Sequence, residues 1–268
     1  MRKERVGFIG AGQMAESIAR GIVDAKLLKA GSLMASDPTE ARRDVFEDMG
    51  ALVTADNLAL VARCGVLIVA VKPQSVPDLL AQIGPKLRKD QTLITICAGV
   101  STSVFEAAAA VPLRVVRAMP NLPMRVRLGA TALCHGRHAT EEDMKVAGEI
   151  FSAAGRAVQV EEGMMDAVTA ISGSGPAYFC FLVEVMIEAG ILEGLDPRVA
   201  RTLAIQTARG AAAWMDSEDT APEDLRKRVT SKGGTTEAAF RTMDELKVRH
   251  GLLAGILAAA ERSRELGK

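Results

Sequence analysis

The chain has 268 residues, 49% of them hydrophobic and 25% charged, which is enough to bury a real core in one large or two smaller domains. Its 33 basic residues balance 33 acidic ones and no basic block rich in aromatics occurs, which argues against nucleic acid or an anionic membrane surface as a partner. Aromatic residues are only 3%, while alanine, leucine, valine and methionine abound, a composition suited to helices packed through small side chains.

The N-terminus, MRKERVGFIGAG, sets charge directly against a short apolar run, and no uncharged apolar run reaches about 18 residues. No signal peptide or membrane span is therefore expected, and the protein reads as cytoplasmic. Cys64, Cys97, Cys134 and Cys180 lie in apolar surroundings without metal-ligand or paired spacing, and are expected as reduced, buried thiols.

Arg5 to Gly10 is an apolar run ending at glycine, and apolar residues at helical spacing follow it: strand, tight turn, helix. Gly10, Gly12 and Ala15 form G-x-G-x-x-A at that junction, the context in which the pattern marks a dinucleotide site. Gly10 permits the turn, Gly12 lets backbone approach a pyrophosphate, and Ala15 allows close helix packing. Gln13 and Met14 open the helix and belong to the same site. A second strand is expected over Ser32 to Ser36. Asp37, beyond it, is either the acid that bonds the adenine ribose of NAD or a turn residue before Thr39, and Arg42 and Arg43 follow one helical turn later. Cofactor choice between NADPH and NADH stays open on these residues.

Further apolar runs at Gly65 to Val71, Thr92 to Ala98 and Arg114 to Pro120 alternate with helical segments, which implies a parallel, doubly wound sheet. Ala70, Val71, Lys72 and Pro73 stand at the carboxyl end of one strand, Cys97, Ala98 and Gly99 at the end of the next, and Met119 to Pro123 after the one beyond. Ligands of open α/β sheets bind at that edge. Lys72 either faces cofactor there or is an ordinary solvated lysine. Ala130 to Gly136 and Arg156 to Glu162 are expected to extend the sheet at its edge. After Glu162 no strand pattern recurs, so residues 1–162 are expected as a Rossmann domain and 163–268 as a helical one. Several of the later helices are apolar on more than one face, as subunit packing requires. Ser172 to Tyr178 (SGSGPAY) opens the first of them, where the small residues serve either close packing or the floor of a cofactor cleft. His135, His138 and His250 lack metal-ligand spacing, so no metal site is expected.

Taken in order, GFIGAGQMA (7–15), AVKP (70–73), CAGVS (97–101), MPNLP (119–123), DAVTAISGSGPAY (166–178) and VTSKGGTT (229–236) resemble the pyrroline-5-carboxylate reductase family over nearly the whole chain. The last two blocks are the most specific part of the match. The resemblance implies hydride transfer from NADPH or NADH to the C=N bond of 1-pyrroline-5-carboxylate, giving L-proline. It also implies a helical domain that forms an interlocked homodimer and often a decamer of five dimers.

By the same resemblance, Ser231, Gly233, Gly234, Thr235 and Thr236 bind substrate, and the Thr236 hydroxyl meets the ring nitrogen. Asn57 matches a family asparagine on the adenosine side of the cofactor, and Ser36, at the end of the second strand, is expected among the cofactor-binding residues. Two positions depart from the family pattern: Lys232 stands where proline is frequent, and Leu122 where threonine is usual. A β-hydroxyacid dehydrogenase shares the general organisation, but its lysine in the long interdomain helix has no counterpart in AYFCFLVEVM (177–186).

Overall fold

Strand β1 (Val6–Ile9) buries all four of its side chains because neighbours flank it in the sheet and helices cover both faces. Successive residues point to opposite faces. Phe8 joins a core with Ile18, Ile22, Phe46 and Phe151, while Ile9 joins a second with Leu60, Leu67, Leu80 and Phe105. The computed structural model describes residues 5–218 and 220–267. The charged stretch at the N-terminus, Met1 to Glu4, lies outside them.

The described residues form an eight-stranded sheet of order β3-β2-β1-β4-β5-β6-β7-β8. Its other strands are β2 (Leu33–Ser36), β3 (Leu52–Thr54), β4 (Val66–Val69), β5 (Thr92–Thr95), β6 (Arg114–Met119), β7 (Gly129–His135) and β8 (Gly155–Gln159). All neighbours run parallel except β6 and β7. Helices α1 (Gln13–Asp24), α2 (Glu40–Asp48) and α6 (Glu141–Ser152) supply the first core. Helices α3 (Asn57–Arg63), α4 (Val76–Ile83) and α5 (Thr102–Ala108) supply the second. The expected edge extension is present as β7 and β8, joined closely because a side chain at Gly155 would collide with the Gly129 carbonyl at 2.0 Å. The pattern of apolar runs misses β3, which has three residues at the sheet edge, none of them fully buried.

Asp143 ties the extension to the parallel core. It caps α6 reciprocally with Thr140, accepts a short hydrogen bond from Thr92 of β5, and pairs with Arg114 of β6 at 3.2 Å. Burial raises its pKa, but the hydrogen bonds from Thr92 and Thr140 and the Arg114 charge outweigh that, and the carboxyl titrates below its ordinary value.

After β8 the chain forms α7 (Met165–Val168), a π-helical stretch over Thr169–Gly173, and then α8 (Gly175–Leu192), α9 (Pro197–Ser217), α10 (Pro222–Arg228), α11 (Thr235–Glu245) and α12 (Val248–Leu266). Two units result: 5–174 together with 259–267, and 175–258. In the second, Asp196 caps α9 through the amides of Arg198 and Val199, and Gly190 of α8 meets Ala200 of α9 closely. Much of the apolar surface of α8 is uncovered: Phe179 is 63% exposed, Phe181 60% and Leu182 51%. Glu162–Leu192 is long and apolar enough to cross a bilayer by length and composition. Cys180 is exposed on this helix, which corrects the expectation that all four thiols are buried; Cys64, Cys97 and Cys134 are buried, and all four are free.

Asp143→Asn is expected to destabilise the protein by roughly 2–3 kcal/mol at neutral pH, because charge-assisted hydrogen bonds and a buried pairing are lost. Since the folded pKa is depressed, the carboxylate's contribution is complete above the unfolded value and disappears as pH falls through the folded one. Thermal or denaturant unfolding from pH 7 to 3 should therefore show a constant gap between wild type and variant that narrows only below about pH 4.

Candidate functional site

β1 pairs with β2 on one side and β4 on the other, so strand order reverses there and the loops at their carboxyl ends border one crevice. The Gly10 amide donates to Ser36 O and the Ala70 amide to Ile9 O, both at 2.8 Å, fixing three loops against one another. Gly10 adopts φ +92°, and a side chain there would meet the Ala70 carbonyl at 2.7 Å. Only glycine fits. Gly12 differs, because nothing lies within 4 Å of where its Cβ would be. It caps α1 with extended backbone and no side-chain hydrogen bond, and among the described residues the amides of Gln13 and Met14 have no partner at the positive end of the helix. Open space over free amides is what a dinucleotide pyrophosphate requires, and the residues fit that group.

Asp37 is held firmly beside this turn. Its Oδ2 accepts from the Ala11 amide and its Oδ1 from the Thr39 amide, each at 2.9 Å. Asp37 is thus the turn residue before Thr39, with its carboxylate at the end of β2. Both nearby arginines are engaged. Arg42 donates to Ala11 O at 2.7 Å and pairs with Glu16 at 3.0 Å, while Arg43 donates to the carbonyls of Asp37 and Pro38. Ser36 is fully buried and gives its hydroxyl to Asn57 Oδ1 at 2.7 Å, and Asn57 in turn donates to Gln82. Ser36 thus orients Asn57, which is half-buried at the start of α3.

Lys72 is exposed beyond β4, and Pro73 begins a short turn of helix. Cys97 turns inward, its thiol directed at Val71 O at 3.4 Å, and burial pushes its pKa up; Ala98 is exposed and Gly99 takes φ +74°. In the next loop Asn121 is structural: its amide group donates to Ser172 O and its oxygen accepts from the Ala130 amide, both at 2.9 Å. A side chain at Gly173 would strike the Met119 methyl at 2.9 Å, so this glycine serves close packing. Sequence patterns do not reveal the Asn121 and Ser36 contacts, which join residues 51 and 21 positions apart.

The glycine loop between α10 and α11 is built locally. Gly233 has φ +73°, and Gly234 caps α11 where a side chain would collide with the Ser231 hydroxyl at 2.4 Å. Two amides of the loop are already used: Gly234 donates to Ser231 O at 3.0 Å, and Gly233 to the Glu237 carboxylate at 2.7 Å. The amides of Thr235 and Thr236 open α11 and have no partner among the described residues, an arrangement that can accept an anion. The Thr236 side chain is half-buried beside them, and Lys232 is exposed with no partner among the described residues.

Residues 162–266 match the family described as pyrroline-5-carboxylate reductase dimerisation, and residues 5–99 match that described as NADP oxidoreductase coenzyme F420-dependent. The pyrroline-5-carboxylate reductase of Methanosarcina acetivorans is 40% identical over 269 residues, covering 100% of both chains. Among solved structures, that of the Coxiella burnetii pyrroline-5-carboxylate reductase superposes with a TM-score of 0.92 at 31% identity, covering 100% of both chains. The Plasmodium falciparum pyrroline carboxylate reductase, solved with NADP bound, gives 0.90 at 29%, again over 100% of both.

Because the two fingerprint glycines are required for different reasons, substitution should separate them. Gly12→Ala is expected to melt like wild type but bind dinucleotide at least about tenfold more weakly, since its methyl fills space reserved for phosphate. Gly10→Ala should lower the melting temperature outright. Differential scanning fluorimetry beside a cofactor fluorescence titration reads both outcomes.

Proposed function

The chain belongs to the pyrroline-5-carboxylate reductase family, and from that membership we propose how its residues divide the work. It is an NAD(P)H-dependent oxidoreductase that reduces the C=N bond of 1-pyrroline-5-carboxylate to L-proline, the final step of proline biosynthesis. Its helical region forms a homodimer, which accounts for the uncovered apolar face of α8. As the finer reading, residues 1–162 bind cofactor, residues 163–268 dimerise and bind substrate, and five dimers assemble into a decamer of a soluble, cytoplasmic enzyme. Native mass measurement distinguishes two copies from ten.

Gly10, Gly12, Gln13 and Met14 hold the cofactor pyrophosphate, Asn57 oriented by Ser36 serves the adenosine side, and Ala70 to Pro73 with Cys97 to Gly99 border the nicotinamide. NAD(P)H, when bound, supplies the hydride. The substrate carboxylate rests on the loop from Ser231 to Thr236, and the observation that carries this reading is the pair of amides at Thr235 and Thr236 on a helix N-terminus, unclaimed among the described residues. Gly233 and Gly234 shape the loop, Ser231 holds its turn, and the Thr236 hydroxyl orients the ring nitrogen that carries the proton in the product. No strong acid is needed if the imine binds protonated or the hydroxyl relays a proton from water.

Asp37 favours NADH over NADPH, because its fixed carboxylate repels a 2′-phosphate while Arg42 and Arg43 are committed to other partners.

A steady-state assay with 1-pyrroline-5-carboxylate and each cofactor tests these assignments. Thr236→Ala should lower kcat by roughly 10²-fold with cofactor affinity within about twofold of wild type; equal losses in both would argue against the role. Asp37→Asn should raise the NADPH-to-NADH ratio of kcat/KM by about tenfold, the scale of one like-charge contact at a half-exposed site. An unchanged ratio would remove Asp37 as the determinant.

A further inference from the structure

The loop Cys97–Ser101 begins where the sheet's hydrogen-bond ladder ends, the last bond running from the Ile96 amide to Val69 O. Strand pairing does not position the residues beyond that bond. Gly99 turns through φ +74°, and a side chain on it would meet the Leu266 carbonyl at 3.2 Å and the Gly267 amide at 3.3 Å, so the end of α12 bounds the loop on one side. At its other end the loop enters α5 at Thr102. That helix lacks a side-chain cap on its amides, because the Ser101 hydroxyl at the N-cap lies 2.8 Å from the Ser103 hydroxyl and accepts from none of the first backbone N–H groups.

Glu162 takes over from sixty positions away. Its Oε1 accepts the Thr102 amide at 2.8 Å and its Oε2 the Thr102 hydroxyl at 2.7 Å, while Arg117 of β6 donates to Oε1 at 3.2 Å. Thr102 is 4% exposed and Arg117 8%. β6 is already held by β5 and β7 along its length, so the sheet does not need this ion pair to place Arg117. The Cys97 end of the loop is held by its amide on the Thr95 hydroxyl and its thiol on Val71 O, and the end that enters α5 is held by Glu162 through Thr102.

We infer that Glu162 is a positioning residue for the nicotinamide end of the cofactor: through Thr102 it holds the Cys97–Gly99 loop in place, and Arg117 holds Glu162. This rests on the assignment of that loop to the nicotinamide border under the proposed function. The role concerns one end of the cofactor only, since the proposed pyrophosphate and adenosine contacts come from the segments after β1, β2 and β3.

The test uses the full-length enzyme and two ligands in calorimetric titration: the reduced cofactor that the wild type turns over faster, and its nicotinamide-free fragment, ADP-ribose or 2′-phospho-ADP-ribose. Glu162→Gln is expected to weaken binding of the whole cofactor about tenfold and of the fragment less than twofold, the loss expected for a contact displaced by a fraction of an ångström. The primary deuterium isotope effect on kcat with 4-deuterated cofactor should rise as hydride transfer becomes slower. Equal weakening of both ligands, or of neither, overturns the proposal. Should Glu162→Gln fail to fold, Thr102→Val removes only the hydroxyl bond and carries the same comparison with a smaller split. A wild type that reduces no 1-pyrroline-5-carboxylate overturns the parent reading and this one together, whereas an active wild type beside a Glu162→Gln of unchanged cofactor affinity overturns this one alone.

Discussion

Two backbone hydrogen bonds, Gly10 N–H to Ser36 O and Ala70 N–H to Ile9 O, hold the cofactor edge together. They continue the parallel ladder one residue past the ends of the strands, so the glycine turn, the Asp37 corner and the AVKP loop move with the sheet and not as separate loops. The left-handed Gly10 makes this possible, because any side chain there would push against Ala70. The apolar burial of β1 anchors the arrangement, with Phe8 in one core and Ile9 in the other. Preorganisation of this kind lets a helix N-terminus bind phosphate without first ordering a loop.

The parts of the fold legible in the sequence are those written in local periodicity. Strand, turn and helix at Arg5 to Lys26, the apolar runs of β4 and β5, and the loss of strand pattern after Glu162 all follow from spacing alone. Short β3 escapes because three half-covered residues at a sheet edge carry no distinctive alternation. Contacts joining distant segments escape for a different reason: Thr92 with Asp143, Thr102 with Glu162 and Ser263 with Asp166 lie 51, 60 and 97 residues apart, and only the topology brings them together. Each member reads in isolation as an ordinary solvated or capping residue.

The candidate site divides along the same line. The glycines at 10, 12, 233 and 234 are legible as glycines, but their reasons differ: left-handed backbone at 10 and 233, open space at 12, and a hydroxyl in the way at 234. The family resemblance treats the whole stretch from Gly233 to Thr236 alike, as substrate-binding. The fold assigns the first two amides to Glu237 and Ser231 and leaves the next two at the helix start. Competition from a neighbouring carboxylate is a matter of rotamer and turn geometry, which residue types alone do not specify.

The bare apolar face of α8 brings mass action into the enzyme's stability. A helix with Phe179, Phe181 and Leu182 open to water is incomplete until a second chain arrives, so folding and association form one equilibrium and the protomer concentration enters it directly. For such a molecule dilution acts as a denaturant, and synthesis level as a stabiliser. Substitutions on α8 that touch neither substrate nor cofactor would register as a loss of active enzyme that depends on how much of the chain is present.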